Sequence, residues 1–375
     1  MKEENNDQVV KILKPNKFDE SDWFSTIEYV PLCTNIDNLL VRNILKIHIV
    51  DNYIYVLDEF NQKRRFFKFS IVGNLVGHIV GDEEGEKQFN EITDFIISKE
   101  GDIYLSDVTS NSILHFTSTC EYISSIKSPF ENGIKNFEVF PNTNKITVRP
   151  EKPFSLSSSI YLSDLENLGE ASPVNLENIL NSNLAIDYPL MNFDNFQSNN
   201  NEVFYFDLFS NKIWSITANS VALKFKVEYE EEVWINKDEV DKFIKNDFYQ
   251  QGRIVRNNKK AYRFDFFNSF KDKFVFSCTK PGFKILSIVD DNGNVLKNSK
   301  IKLVSNDRNM IDGGPSFKYL KGCYNESLIF EQNIEDILLY SSSDSVFSKK
   351  SNISSLIDIK ENRTCYKVLV IAELK

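Results

Sequence analysis

No apolar run in this chain of 375 residues approaches the roughly 20 residues that a membrane-spanning helix needs. The first residues, Met1-Lys2-Glu3-Glu4-Asn5-Asn6-Asp7, are polar and carry no apolar core of a signal peptide. Two readings follow: a cytoplasmic protein, or a mature chain whose export signal has been removed. Cysteine is sparse. The five residues Cys33, Cys120, Cys278, Cys323 and Cys365 are scattered, with no CxxC pair. That pattern argues against a zinc site and is expected to give buried free thiols on strands, with one disulfide open to an oxidising compartment. Histidine is rarer still, at three. His48, His78 and His115 all fall in strand-like segments, and a satisfied strand histidine is the expectation for each. No Gly-x-Ser-x-Gly elbow and no HExxH motif occur, and Gly313-Gly314-Pro315-Ser316 reads as a turn. A net charge of −10 disfavours a general nucleic-acid binder, which needs a basic stripe, and simple electrostatic docking on anionic lipid.

What the chain has in quantity is aromatic β-sequence. Apolar residues make up 41% and Phe alone numbers 31, enough for a large core of packed sheets. One phrase recurs: Tyr53-Ile54-Tyr55-Val56-Leu57-Asp58, then Asp102-Ile103-Tyr104-Leu105-Ser106-Asp107, then Val203-Phe204-Tyr205-Phe206-Asp207. Each copy is a short strand ending in Asp, followed by a second apolar strand at Phe66–Phe69, Ile113–Phe116 or Ile213–Ile216. A fixed module of paired strands is the signature of a repeat architecture.

The first module reads as four strands, Ile44–Val50, Tyr53–Asp58, Phe66–Phe69 and Leu75–Val80, with a longer polar loop at 59–65. Five more follow, the last with strands Ser316–Tyr319, Leu328–Glu331 and Ile337–Tyr340. Four antiparallel strands in a meander make one propeller blade. The predicted fold is therefore all-β: a six-bladed β-propeller over residues 23–375, preceded by a polar lead-in at 1–22. An unpartnered first strand (Phe24–Val30, stopped by Pro31) and an unpartnered last strand (Lys367–Leu374) are expected to share one blade and close the fold, because an open array leaves sheet edges exposed. Asn236-Lys237-Asp238-Glu239 resembles a capping box, followed by Val240, Phe243, Ile244 and Phe248 at helical spacing. A short helical insertion at about 236–248 is predicted, and a second helix is read at 175–184.

The stretch Gly81–Phe95, running into Gly101–Asp107, resembles the NHL-type repeat and, more closely, the TolB-like six-bladed propellers of Bacteroides-type bacteria. The motif residues are Gly81, Gly85 and Phe89 of the glycine-containing loop together with Asp58, Asp107 and Asp207. Phe89 stands in the place of that loop's aromatic, and its proline is missing. The resemblance implies export, often as a lipoprotein, and thus a periplasmic or outer-membrane-associated protein whose lipid anchor is not in the sequence. It implies no reaction.

Each chemical candidate has a plainer reading. The strand-end aspartates are read as acceptors for backbone N–H groups in the following turn. The acidic loop 81–89 repels phosphate and lacks EF-hand spacing, so no cofactor is expected, calcium being the one ion considered. Tyr249, Arg253, Arg256, Lys259 and Tyr262 form a basic and aromatic patch in an acidic chain, suited to an anionic glycan or an acidic protein loop. The function expected is a non-catalytic binding or scaffold role toward a protein or glycan partner, by a monomer and through one loop face. The alternatives are a metal-assisted hydrolase or lyase with carboxylates lining the axial channel, and a cytoplasmic NHL-type scaffold.

Overall fold

Aromatic and β-branched residues dominate the strands, and their alternation sets which face each strand buries. The computed structural model describes residues 8–36, 39–81, 91–140, 143–150, 160–174, 196–199, 202–206, 210–230, 264–280, 282–302, 316–317, 319–341, 352, 356 and 365–375. They form a six-bladed β-propeller of antiparallel four-stranded blades, two of which gain a fifth strand. The predicted helices at 236–248 and 175–184 lie outside the described residues. Among the described residues no helix is long and apolar enough to cross a membrane. The chain divides into two compact units: residues 1–16 with 91–300, and residues 17–90 with 301–375.

The second unit holds blades one and six, with the C-terminal strand. Blade one is Ile44–Val50, Tyr53–Phe60, Lys63–Ser70 and Leu75–Ile79. Its second and third strands are longer than the sequence suggests. The expected polar loop at 59–65 is instead a two-residue turn, because Asn61 and Gln62 both adopt positive φ (52° and 64°), the geometry that lets paired strands run on through a hairpin. Blade six is built from Tyr319–Tyr324, Ser327–Asn333, Cys365–Leu374 and Phe24–Cys33, in that order. Phe24–Cys33, the strand expected from sequence to help close the fold, thus pairs antiparallel with the last strand of the chain, with Val370 opposite Tyr29 and Val368 opposite Pro31. Pro31 does not stop its strand as expected. The strand runs to Cys33 on the outer edge of the blade, where a missing N–H is tolerated.

Two further expectations fail in blade six. Ile337–Tyr340 is not a strand but part of helix α2 (Ile334–Ser341), following the four-residue α1 (Glu20–Trp23). Ile334 and Ile337, three residues apart on one helix face, are buried while Leu339 is 70% exposed. The five cysteines are not all free thiols either. Cys33 and Cys365 form a disulfide across 332 residues of sequence, tying the two end strands at their register. Cys120, Cys278 and Cys323 remain free. A core of Val30, Leu32, Ile44, Ile54, Val56, Phe67, Phe69, Ile329 and Leu369 runs between blades six and one. Gly73, at φ +88°, comes so close to Pro31 that a Cβ would lie 2.0 Å from the Pro31 carbonyl oxygen. Only glycine permits that approach and that backbone angle.

The first unit holds blades two to five. Their first strands are Ile92–Ile97, Ile134–Val139, Phe196–Asn199 and Phe264–Phe270, and each packs beside the next. Phenylalanines knit blades four and five: Phe204 meets Phe267 and Phe274, with ring centroids 5.5 and 5.3 Å apart, and Phe225 meets Phe274 at 5.0 Å. The two edge-to-face pairs that Phe274 makes add about 0.5–1.5 kcal/mol each beyond the area they bury. Within the segment read as a polar lead-in, Val9–Ile12 forms a strand that joins blade four in parallel.

Cross-linking two strands so far apart in sequence restricts the unfolded chain. A Cys33→Ser/Cys365→Ser variant is expected to lose about 2–5 kcal/mol of stability. Thermal melts of both proteins, with and without reductant, check it: reductant should lower the Tm of the native protein and leave the variant unchanged.

Candidate functional site

The recurring strand-end aspartates occupy matching positions. Asp58 closes the apolar part of the second strand of blade one, and Asp107 ends that of blade two. Each carboxylate reaches back to the residues that enter its blade's first strand. Asp58 Oδ1 accepts from the amides of Arg42 (2.8 Å) and Asn43 (2.7 Å). Asp107 Oδ1 accepts from Glu91 N and Thr109 N, both at 3.2 Å, and Oδ2 from Ser110 N at 3.1 Å. A backbone bond accompanies each tie, Glu59 N to Asn43 O and Val108 N to Glu91 O. Both aspartates are fully buried. Asp58 also makes an ion pair with the buried Arg65. Burial pushes the Asp58 carboxyl up, while Arg65 and the two amides oppose that shift. Asp207 lies outside the described residues.

Carboxylates on the first strands are engaged in the same way. Asp94 of blade two accepts from Phe95 N (2.8 Å) and from Phe137 N of blade three (2.9 Å). Glu138 of blade three accepts from Val139 N (3.2 Å) and from the hydroxyl of Ser198 in blade four (3.1 Å). In blade six, buried Glu331 is paired with Lys321 (3.0 Å) and with Lys367. Lys321 also donates to the Ile44 carbonyl of blade one at 2.6 Å. These acids act as fasteners between strands and between neighbouring blades. No local motif marks Asp94 or Glu138, whose partners sit one blade away, or Glu331, whose lysines come from the strands on either side of it.

The histidines sit in different settings. Burial, with the Lys46 cation adding to it, pushes His48 down to about 4. His115 stacks on Tyr104 (centroids 4.3 Å apart, planes at 10°) and shares a hydrogen bond with Asp102 at 3.0 Å. His78 is exposed on the outer strand of blade one. Among the described residues no three His, Cys, Asp or Glu side chains gather as a metal-binding group. Burial raises the thiol of Cys278 to about 12 and raises that of Cys323 as well, which keeps both protonated and weakly reactive near neutral pH.

Of the loop residues singled out from sequence, Tyr249, Arg253, Arg256, Lys259 and Tyr262, with Gly85 and Phe89, lie outside the described residues. Gly81 is described, at the end of blade one. A different cation and aromatic cluster is visible at the hairpin end of blade one. The Arg42 guanidinium lies 4.3 Å from the centre of the Tyr366 ring and 5.7 Å from that of Phe60. Arg65 lies 5.1 Å from the centre of the Phe60 ring, and Arg64 pairs with Glu59 at 3.4 Å. Phe60 is 39% exposed, carried outward by the Asn61-Gln62 turn. Guanidinium groups stacked on rings are held in place yet keep their N–H edges for planar anions. The local signal was Lys63-Arg64-Arg65 directly after an aromatic strand end. Its meaning depended on Arg42 and Tyr366 arriving from elsewhere in the chain.

The model of a family described as a domain of unknown function, DUF4934, matches residues 6–371. No curated protein matches the chain. Among solved structures, a Bacteroides fragilis NCTC 9343 protein designated as exported is 13% identical, covering 98% of this chain and 99% of its own, with a TM-score of 0.74. A member of the DUF4221 family from Bacteroides vulgatus ATCC 8482 is 11% identical, covering 94% and 97%, with a TM-score of 0.55. At these identities the likeness is one of fold.

Two outcomes follow from the geometry. Asp58→Ala strands a buried guanidinium and is expected to cost about 3–5 kcal/mol, while Asp58→Ala/Arg65→Met costs less than the single change; urea unfolding measures both. His48, held neutral by the fold, binds fewer protons folded than unfolded between about pH 4 and 6.5. Stability therefore falls as pH drops through that window. An NMR titration should place the His48 midpoint near 4, and His48→Gln should remove that part of the acid sensitivity.

Proposed function

The chain belongs to the DUF4934 family, and we propose that it is a non-catalytic binding or scaffold propeller of the bacterial cell envelope. It recognises a protein or glycan partner through one loop face. The observation that carries the reading is the state of the acids. Among the described residues, the buried carboxylates Asp58, Asp94, Asp107 and Glu138 each accept hydrogen bonds from backbone amides or a neighbouring hydroxyl. A carboxylate held this way serves as a fastener and has little freedom to shuttle protons.

The cluster of Phe60, Arg42 and Tyr366 supplies the chemistry suited to contact. The exposed Phe60 ring offers a flat apolar platform, and Arg42 offers donors for a carboxylate or sulfate group. Export draws support from the designation of the Bacteroides fragilis relative. The Cys33–Cys365 disulfide adds to it, since such bonds persist in oxidising compartments.

Immobilised full-length protein is tested against a panel of neutral and anionic glycans and purified envelope proteins, with bound material eluted and analysed by mass spectrometry. The expected result is saturable binding to one class, its members recovered chemically unchanged, and at least tenfold weaker binding by Arg42→Ala/Phe60→Ala. Recovery of shortened or unsaturated glycan would overturn the non-catalytic reading. Undiminished binding by the double variant would overturn the choice of face. Fractionation should find the native protein with the envelope, and a cytosolic location would remove the export reading.

A further inference from the structure

Blade four is completed by residues from far away in the sequence. Its own strands are Phe196–Asn199, Glu202–Phe206, Lys212–Ile216 and Val221–Tyr229. Val9–Ile12 adds alongside the last of them in parallel, with Val9 opposite Lys226, Val10 opposite Val227, Lys11 opposite Glu228 and Ile12 opposite Tyr229. Lys226 N donates to Gln8 O (3.0 Å) and Glu230 N to Ile12 O (2.8 Å). The segment is read by side chain as well as by backbone. Val10 and Ile12 are buried to 0% and 1% exposure, while Val9 is 38% exposed. Both buried residues enter the core formed by Phe204, Phe206, Ile213, Phe225 and Val227.

The ends of the segment are clamped too. Gln8 Nε2 donates to Asp291 O at 3.1 Å, and Asn298 Nδ2 donates to Leu13 O at 2.9 Å. Lys14 N donates to the Glu230 carboxylate at 3.0 Å. Gly293, at φ +77°, lies so close that a Cβ there would sit 3.2 Å from Val10 Cγ2. Beyond Ile12 a shallow cleft lined by Leu13, Lys14, Tyr229, Glu230, Phe283 and Lys300 continues the groove. Lys300 Nζ stands 3.5 Å from the centre of the Phe283 ring there.

These are the parts of a strand-addition site: a sheet edge that supplies backbone bonds, pockets for two alternate side chains, and polar contacts that set direction. We propose that the outer edge of blade four is a strand-receptor site. Its ligand is the extended segment 8–14, held non-covalently and exchangeable for the same segment supplied in trans by a second copy. The inference is independent of the loop-face reading above, since it concerns a sheet edge and not the loops.

The test uses the full chain with a specific protease site inserted between Pro15 and Asn16. After cutting, gel filtration and mass spectrometry follow the freed arm, and a fluorescent peptide of residues 7–15 is added in excess. The expected result is that the cut arm stays with the protein until the labelled peptide replaces it, while the uncut chain takes up at least tenfold less peptide. A peptide carrying Val10→Asp should compete at least tenfold more weakly, as loss of one buried β-branched side chain requires. Loss of the cut arm without peptide uptake, or equal uptake of the Val10→Asp peptide, would overturn the proposal. If the cut chain unfolds, the same competition is run on intact protein at rising peptide concentration. Displacement of the arm, reported by a label at Gln8→Cys, supports the site, and an unmoved label at saturating peptide refutes it.

Discussion

The pairing of Phe24–Cys33 with Cys365–Leu374 is the constraint on which blade six depends. Without Phe24–Cys33 the blade would end on an exposed ladder, and sheet edges of that length invite pairing with other chains. Bringing the two ends together costs the entropy of closing nearly the whole chain. Several contacts meet that cost jointly: Leu369 and Val370, wholly buried, the disulfide at one end of the strand pair, and the near-contact of Gly73 with Pro31. The last of these carries the order of blade six into the turn of blade one, through the amide of Cys33 bound to the Gly73 carbonyl.

Within this frame charge serves chiefly as a fastening. A meander of strands satisfies its own backbone, but the connectors entering each blade leave amides that need acceptors. Asp58 and Asp107 supply them at the same place in successive blades. Across to the first strand of the next blade, Asp94 accepts from the Phe137 amide and Glu138 from the Ser198 hydroxyl. Among the described residues these buried acids are structural, and the half-exposed Phe60 ring at the hairpin end of blade one has the guanidinium groups of Arg42 and Arg65 at 5.7 and 5.1 Å from its centre.

Much of the fold was legible because strand alternation, hairpin turns and a repeating module are local properties. The six modules, the aromatic strand ending in Asp107, and the sharing of a blade by Phe24–Cys33 and the C-terminal strand could all be read in this way. Errors came where local signals were ambiguous. Ile337–Tyr340 has the apolar content of a strand, yet the spacing of Ile334 and Ile337 suits a helix when one face is covered. Pro31 is a strand breaker in a central strand and harmless at an edge, and sequence does not say which position a strand will hold. Asn61-Gln62 is a weaker turn signal than Asn-Gly, so the hairpin looked like a loop.

The order of apolar and polar residues along the chain was enough to specify strands, their grouping and the class of architecture, because each strand's pattern is imposed by its own two faces. It was silent on every partnership between distant residues. That Val9–Ile12 would complete blade four, that Cys33 would meet Cys365, and that Arg42 would lie between Phe60 and Tyr366 were settled by packing. Such contacts join segments tens to hundreds of residues apart. Their free energy arises from area buried and charges paired in space, and nothing in the neighbouring sequence of either partner encodes the other.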